Sequence, residues 1–166
     1  MFAKPSMIFA AVILSALPLT AGRAHEPTTP TATSSQNLPP MAGQAAQTVD
    51  MFHAALGRGD TATALSLLSA DAVIFEEGGA ERSKAEYAAH HLAADAEFTT
   101  AVPSTQSRRT GRAEGSIAWI ATEGRTTGSF KGRAVDRLTT ETMVLRREGA
   151  AWKIVHIHWS SRNAPV

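Results

Sequence analysis

The feature that most constrains the fold is a long stretch of β-like sequence, residues 104–161. It divides into four runs, STQSRRTGR, SIAWIATEGRT, AVDRLTTETMVLRR and AAWKIVHIHWSS. These runs are rich in Thr, Val, Ile and Trp, which favour strands, and turns that contain glycine separate them near Glu114, Gly128 and Glu148. The pattern predicts a meander of four strands.

The preceding residues favour helices. The segment MAGQAAQTVDMFHAALGRGD, residues 41–60, has apolar side chains at helical spacing and ends in two glycines. Asp60 can cap a short second helix, TATALSLLS, and AVIFEEGG then reads as a short strand. Ser83 and Glu86 form a capping box that opens a third helix, KAEYAAHHLAAD. This order predicts an α+β domain whose sheet curls around the helices and leaves a pocket between the layers.

The N-terminal segment is typical of an export signal. Residues 1–24 contain Lys4, an apolar run too short to span a bilayer, and small residues that favour cleavage after Ala24. A retained membrane anchor is the alternative. Residues 25–40, rich in Pro, Thr and Ser, are predicted to be a disordered tether, which leaves residues 41–163 as one domain. We therefore expect the protein to be exported. The alanine-rich composition of the chain favours the periplasm as its destination.

Charge and composition exclude several functions. The formal charge of +1 becomes −1 if residues 1–24 are removed with Lys4 and Arg23, so there is no basic surface typical of nucleic-acid binding. The basic stretch SRRTGR, residues 107–112, is interpreted as a solvated strand edge. The chain has no cysteine, so disulfides and thiol nucleophiles are excluded. No phosphate loop, Gly-x-Ser-x-Gly or His-Glu-x-x-His motif occurs, and no cofactor is expected.

The order of elements over residues 41–162 resembles the nuclear transport factor 2-like superfamily, cone-shaped α+β barrels that include SnoaL-like proteins. The segment ETMVLRREGAAWKIVHIHWSS resembles the end of the association domain of calcium/calmodulin-dependent protein kinase II. That domain also has Glu-Thr, an arginine-rich turn and Trp-x-Ile-Val-His-x-His-x-Ser. The resemblance implies a curved antiparallel sheet wrapped around N-terminal helices, and a homodimer. It does not fix a function, because the superfamily contains enzymes, binding proteins and assembly modules.

The segments FHAALGRGD and SADAVIFEEGG resemble ketosteroid isomerase. The resemblance places Glu76 at the position of the catalytic aspartate and Glu141 near the protonated aspartate of the oxyanion hole. It places Phe52 at the position of the oxyanion-hole tyrosine, where phenylalanine has no hydroxyl to donate. Loss of one such donor typically costs about 10²–10³ in rate. The isomerase set is therefore incomplete. Glu76 is retained as a candidate catalytic base, with a histidine as its acid partner.

His156 and His158 lie two residues apart near the chain end. Simple strand alternation places both on one face. They can form part of a metal site if His90, His91 or Asp95 supplies a third ligand. At most one of the two consecutive histidines is expected to face the sheet, because they point about 100° apart on a helix. Hydrogen bonding and pocket lining are the favoured roles, and no metal is assigned.

Four further side chains enter the predicted site. Glu76 is either a base with a raised pKa in an apolar pocket or a solvated carboxylate at a strand end. Glu141, in mid-strand, needs a partner if it is buried, which favours a structural or ligand-orienting role. Tyr87 and His91 share one helix face, and the tyrosine hydroxyl faces either the cavity or the surface. Trp159, on the face opposite His158 by simple alternation, is a candidate dimer contact.

These observations favour an exported homodimer that binds a small, partly apolar molecule. The predicted ligand-binding residues are Glu76, Tyr87, His91, Glu141, His156 and His158. Two alternatives remain open. One is a cofactor-independent isomerase, cyclase or dehydratase that uses Glu76 as base, and the other is a homo-oligomeric assembly module.

Overall fold

The computed structural model describes residues 38–165 of the chain. These residues form one six-stranded sheet and four helices. The helices are α1 (Pro40–Gly57), α2 (Thr61–Leu67), α3 (Lys84–His90) and α4 (Leu92–Ala101). The strands are β1 (Leu68–Glu76), β2 (Gly79–Glu81), β3 (Ser104–Glu114), β4 (Ile117–Phe130), β5 (Arg133–Glu148) and β6 (Ala151–Asn163). The predicted signal, residues 1–24, and most of the predicted tether lie outside the described residues. None of the helices in residues 38–165 is long and apolar enough to cross a membrane.

The strands lie in the order β2-β1-β6-β5-β4-β3, in a curved sheet that does not close. Strands β3 to β6 form the predicted antiparallel meander. The predicted curved antiparallel sheet is confirmed, with one parallel pairing that was not predicted, between β1 and β6. Parallel neighbours require a long crossover connection, and the chain between β1 and β6 supplies it through two helices and the meander. This pairing adds the N-terminal strand to the C-terminal sheet.

The predicted helix caps form. The Asp60 side chain accepts a hydrogen bond from the backbone N–H of Thr63 at 3.0 Å, at the start of α2. The Ser83 hydroxyl accepts from the backbone N–H of Glu86 at 3.1 Å, at the start of α3. The single third helix of the sequence prediction is wrong, since it breaks at His91, where φ is −109° and ψ is −31°. The break separates α3 from α4 and allows the two short helices to take different directions.

The core lies between α1 and the inner face of the sheet. One row of apolar side chains runs across four neighbouring strands and is formed by Ile74, Ile157, Met143 and Ile120. Each of these residues is at most 3% exposed. Burial of one such side chain contributes about 1.5–3 kcal/mol. This row forms the apolar floor on which the functional site rests.

A bulge in β6 decides which of its side chains face inward. Ile154 and His156 pair with consecutive residues of β5, so Val155 is an extra residue on β6. One extra residue reverses the faces of all side chains that follow it. His156 and His158 therefore point to the outer face of the sheet, and Trp159 points inward. The predictions that the two histidines line the pocket and that Trp159 lies on the outer face are both wrong for this reason.

Candidate functional site

A cavity of about 960 Å³ lies between the inner face of the sheet and helices α1, α3 and α4. Part of its wall is apolar and includes Leu56, Ile74, Phe98 and Val102. The rest is polar, and most of the ionisable groups are carboxyls. Ligand sites commonly have volumes of about 300–1,000 Å³ and combine apolar walls with a few polar groups.

The polar part of the wall is built on one row of the sheet. The cross-strand register places side by side Glu76, Trp159, Glu141, Thr122 and Arg109, on five successive strands. Side chains two positions apart on a strand share a face, so this row lies next to the apolar floor. Sheet pairing alone therefore brings together residues that are up to 83 positions apart in the described chain, from Glu76 to Trp159.

Glu141 occupies the centre of this row and is only 8% exposed. Its Oε2 atom accepts a hydrogen bond from Trp159 Nε1 at 2.7 Å and lies 2.7 Å from His53 Nε2. Burial acts to raise the pKa of Glu141, but the contacts with His53 and Trp159 outweigh burial and lower that pKa. The Oε1 atom is buried and has no hydrogen-bond partner in the described part of the chain. A buried ionised carboxylate thus retains one unused acceptor.

The two arginines of the wall are already held by carboxylates. The Arg109 side chain is only 4% exposed, and its Nη1 donates to Asp50 at 2.6 Å. Its Nε donates to the Thr122 hydroxyl at 3.2 Å. Arg137 Nη2 lies 3.6 Å from a carboxylate oxygen of Glu77, and its buried Nε has no partner among the described residues. These pairings offset most of the positive charge of the wall.

Tyr87 and Asp95 form a hydrogen-bonded pair across the break between α3 and α4. The Tyr87 hydroxyl donates to Asp95 Oδ2 at 2.8 Å, and Tyr87 is fully buried. Burial, with the Asp95 charge as the next cause, raises the pKa of Tyr87 above its usual range. Burial also raises the pKa of Asp95, although the hydrogen bond from Tyr87 partly opposes this rise. The tyrosine therefore remains a neutral donor.

Glu76 faces the cavity from the end of β1. Burial raises the pKa of its carboxyl group, and the charges of Asp95 and Glu77 raise it further. Strand alternation places Glu76 on the same face as the buried Ile74 and opposite Phe75, which is 42% exposed. The sequence left open which face of β1 points inward, and the structure places Glu76 on the inward face.

Glu81 of β2 contacts both consecutive histidines, His90 and His91. It is 7% exposed, and its carboxylate contacts Nδ1 of His90 at 3.2 Å and Nδ1 of His91. Burial acts to raise the pKa of Glu81, but the histidine contacts outweigh burial and lower that pKa. The expectation that at most one histidine faces the sheet is wrong, because the helix ends between the two residues. His91 also lines the cavity.

Four of the six residues predicted to bind a ligand line the cavity, namely Glu76, Tyr87, His91 and Glu141. His156 and His158 do not. The Nδ1 atom of His156 lies 2.9 Å from the backbone oxygen of Val73, and both imidazole rings meet the Phe75 ring edge-on. Residues 38–165 contain no group of three or more histidine, aspartate or glutamate side chains arranged to hold a metal ion.

Three cavity residues, His53, Asp50 and Arg109, were not predicted from the sequence, and Asp95 was predicted only as a possible metal ligand. Arg109 belongs to the basic stretch that was interpreted as a solvated edge. A shift of register in β3, between Gln106 and Arg108, turns Arg109 inward. Asp50 and His53 are three residues apart on α1 and so share one helix face, which was the available signal.

The chain matches the SnoaL-like domain family over residues 45–164 and belongs to that family. The predicted nuclear transport factor 2-like superfamily is thereby confirmed. A search of curated proteins finds no significant match.

Three solved structures illustrate the similarity. A protein from Shewanella frigidimarina, provisionally named a ketosteroid isomerase, is 36% identical, with a TM-score of 0.67 over 70% of this chain and 94% of that chain. An NTF2-like protein of unknown function from Pseudomonas putida is 21% identical, with a TM-score of 0.63 over 72% and 85% of the two chains. The association domain of the C. elegans kinase CaMKII is 21% identical, with a TM-score of 0.55 over 71% and 98%. The last two similarities concern the fold alone.

Proposed function

We propose that this protein binds a small, partly apolar molecule in the cavity between sheet and helices. The observation that carries the proposal is the polar row of Glu76, Trp159 and Glu141 beside an apolar floor, within about 960 Å³. A few fixed polar groups on an otherwise apolar wall are the usual means of orienting a small ligand. The four predicted residues that line this wall are the proposed ligand contacts.

Native mass spectrometry of the protein, recovered from the exported fraction after expression with its own leader, tests this proposal. We expect a small organic mass to remain bound. Thr139→Trp, which places a large ring at the cavity wall, should abolish retention of that mass. The matched control is Thr142→Trp, at an exposed position that does not line the cavity, and it should retain the ligand. Equal retention by both variants would contradict binding in the cavity.

The same spectrum tests the proposal that the protein is exported. A mature mass that begins at His25 would support cleavage after Ala24 and removal of the signal. An intact N terminus in the membrane fraction would contradict it and support the retained anchor.

A second candidate function is cofactor-independent proton transfer with Glu76 as base. The raised pKa of Glu76, caused by burial and then by Asp95, favours it, since a base with a pKa nearer to neutrality transfers protons efficiently. The relative from Shewanella frigidimarina carries an isomerase name. In this reaction Glu76 takes a proton from the carbon between a ketone and a carbon–carbon double bond. It returns the proton to the far carbon of the resulting dienolate, so that the double bond moves into conjugation with the ketone.

Turnover of a panel of enolisable ketones tests the second candidate. We expect Glu76→Gln to abolish any turnover and Glu123→Gln to leave it unchanged. Glu123 is a suitable control because its carboxylate does not line the cavity. Unchanged turnover in Glu76→Gln would remove Glu76 from the mechanism. Absence of turnover by the native protein would leave binding as the function.

We also propose that two copies of the chain associate through the outer face of the sheet. Phe75, Ile117 and Trp119 expose about 40% of their surface there, beside the outward-facing His156 and His158. Large exposed apolar side chains on one face favour association. The kinase relative is itself an association domain.

Analytical ultracentrifugation of Trp119→Ser tests this association. The native protein should sediment as a dimer and the variant as a monomer. The control Met51→Ser, which removes another exposed apolar side chain from α1, should remain a dimer. A monomeric native protein would contradict the proposal.

A further inference from the structure

We propose that the ligand of this cavity carries a positive charge, such as a protonated amine, attached to an apolar body. This inference rests on the proposed binding function and adds the chemical class of the ligand. Two independent observations support it, namely the balance of charge on the cavity wall and an unused buried acceptor.

The cavity wall carries more acidic than basic side chains. Its acids are Asp50, Glu76, Glu77, Glu81, Asp95 and Glu141, and its arginines are Arg109 and Arg137. The two arginines pair with Asp50 and Glu77. Four carboxyl groups are left, and only histidines are available to balance them. A concave site with one sign of charge concentrates ligands of the opposite sign.

Two of these four carboxyl groups have no basic partner at hydrogen-bond distance. In the described part of the chain, Glu76 has no side-chain hydrogen bond or ion pair, and Asp95 has only the neutral Tyr87 hydroxyl. Both face the cavity, where burial raises the pKa of each. A bound ammonium group would stabilise their ionised forms, whereas a neutral ligand would bury them further without compensation.

Glu141 supplies the second observation. It is more than nine-tenths buried, it lines the cavity, and its Oε1 atom has no hydrogen-bond partner. A buried acceptor without a donor is costly. Because Oε1 has almost no accessible surface, a small movement of the Glu141 side chain would let an N–H group on a ligand reach and satisfy it. Trp159 stands between Glu76 and Glu141 in the register, so its ring provides an aromatic surface beside both carboxylates. Aromatic rings and carboxylates together are the usual partners of organic cations.

Three probe molecules with similar apolar parts distinguish a cationic ligand from a neutral or an anionic one. They are 2-phenylethylamine, 2-phenylethanol and phenylacetate, which at pH 7 are a cation, a neutral molecule and an anion. Isothermal titration calorimetry at low salt should show that the amine binds at least about tenfold more tightly than the alcohol. Phenylacetate should bind most weakly, even though the unpartnered Nε of Arg137 could serve an anion.

Single variants locate the charge that the amine recognises. Glu76→Gln and Asp95→Asn should each weaken amine binding by about tenfold and leave alcohol binding within about twofold. Asp95→Asn retains an oxygen for the Tyr87 hydroxyl, and Glu76 lies at an exposed strand end, so both variants should fold. The control Glu123→Gln removes a charge that does not line the cavity and should have no effect.

The pH dependence follows from the same groups. Amine affinity should rise with pH in the acidic range, because burial raises the pKa of Glu76 and of Asp95 and both groups lose their protons as the pH passes those raised values. The other ionisable groups that act on these two carboxyls are Glu77, Glu81, Tyr87, His91 and Arg137. The charge of His91 acts to lower the pKa of both carboxyls, and the charge of Arg137 acts to lower that of Glu76.

Two results would overturn the inference in different ways. If the alcohol binds as tightly as the amine, or if phenylacetate binds most tightly, the cationic class is wrong while the binding function stands. If none of the three probes binds at millimolar concentration, the inference fails together with the proposed function on which it rests.

Discussion

Replacement of Glu141 by glutamine preserves the shape of the side chain and removes its charge. Glu141 Oε2 accepts from Trp159 and contacts His53, both at 2.7 Å. Hydrogen bonds to ionised groups contribute about 1.5–3 kcal/mol each, against about 0.5–1.5 kcal/mol for neutral pairs. Loss of charge also relieves the desolvation of a carboxylate that is only 8% exposed. We therefore expect the free energy of unfolding at pH 7 to fall by about 1–2 kcal/mol.

The pH dependence of this effect has a definite sign. The pKa of Glu141 is lowered in the folded protein, because the His53 and Trp159 contacts outweigh burial. A lowered pKa contributes stability that is complete above the pKa of the unfolded chain and is lost as the pH falls through the folded value. The stability difference between native protein and Glu141→Gln should therefore be present at pH 7 and shrink below about pH 4.

Urea denaturation followed by circular dichroism measures this difference. Glu123→Gln is the matched control, since it removes a more exposed carboxylate, 58% exposed, and should change the stability by less than about 0.5 kcal/mol. A double-mutant cycle with Trp159→Phe should give a coupling energy with Glu141 of about 1 kcal/mol. Equal stability of Glu141→Gln and the native protein at pH 7, or a difference that grows in acid, would refute a stabilising role for the charge of Glu141.

Two further substitutions test the packing around the cavity. Tyr87→Phe removes the donor to Asp95, so it should lower the free energy of unfolding by about 1–3 kcal/mol and raise the pKa of Asp95 in a carbon-13 NMR titration. An unchanged Asp95 titration would contradict the hydrogen bond. Gly111→Ala places a Cβ atom 2.7 Å from a backbone oxygen of β4 and should cost about 1–3 kcal/mol in urea denaturation. Gly43→Ala in α1 meets no atom within 4 Å and should instead stabilise the protein by up to about 1 kcal/mol, so equal effects would refute the steric argument.

The local sequence determined most of the helices and strands. The four β-like runs became β3 to β6, and the Asp60 and Ser83 caps start α2 and α3. These features depend on propensities and hydrogen bonds between residues close in the chain, so the sequence displays them directly. The α+β class followed from their order. Alternation on β1 also placed Glu76 and Ile74 on one face, which the structure retains.

The candidate site depended on contacts that no local pattern shows. The Val155 bulge exchanged the faces of the C-terminal histidines and Trp159, because a strand has a side-chain period of two and one extra residue reverses it. Strand β6 lies between β1, paired in parallel, and β5, paired antiparallel, and both pairings shift register at this bulge.

The helices also bring residues of the candidate site together through contacts that no local pattern shows. The break at His91 allows the Tyr87 hydroxyl to reach Asp95, eight residues away, and allows two consecutive histidines to meet Glu81. His53 was placed against Glu141 by the packing of α1 on the sheet. The sequence by itself determined most of the elements and their order, since those depend on neighbours in the chain, but it did not show strand β2 or the break at His91. The tertiary structure alone decided which carboxylates are buried and what they contact, since burial and pKa depend on residues distant in the chain.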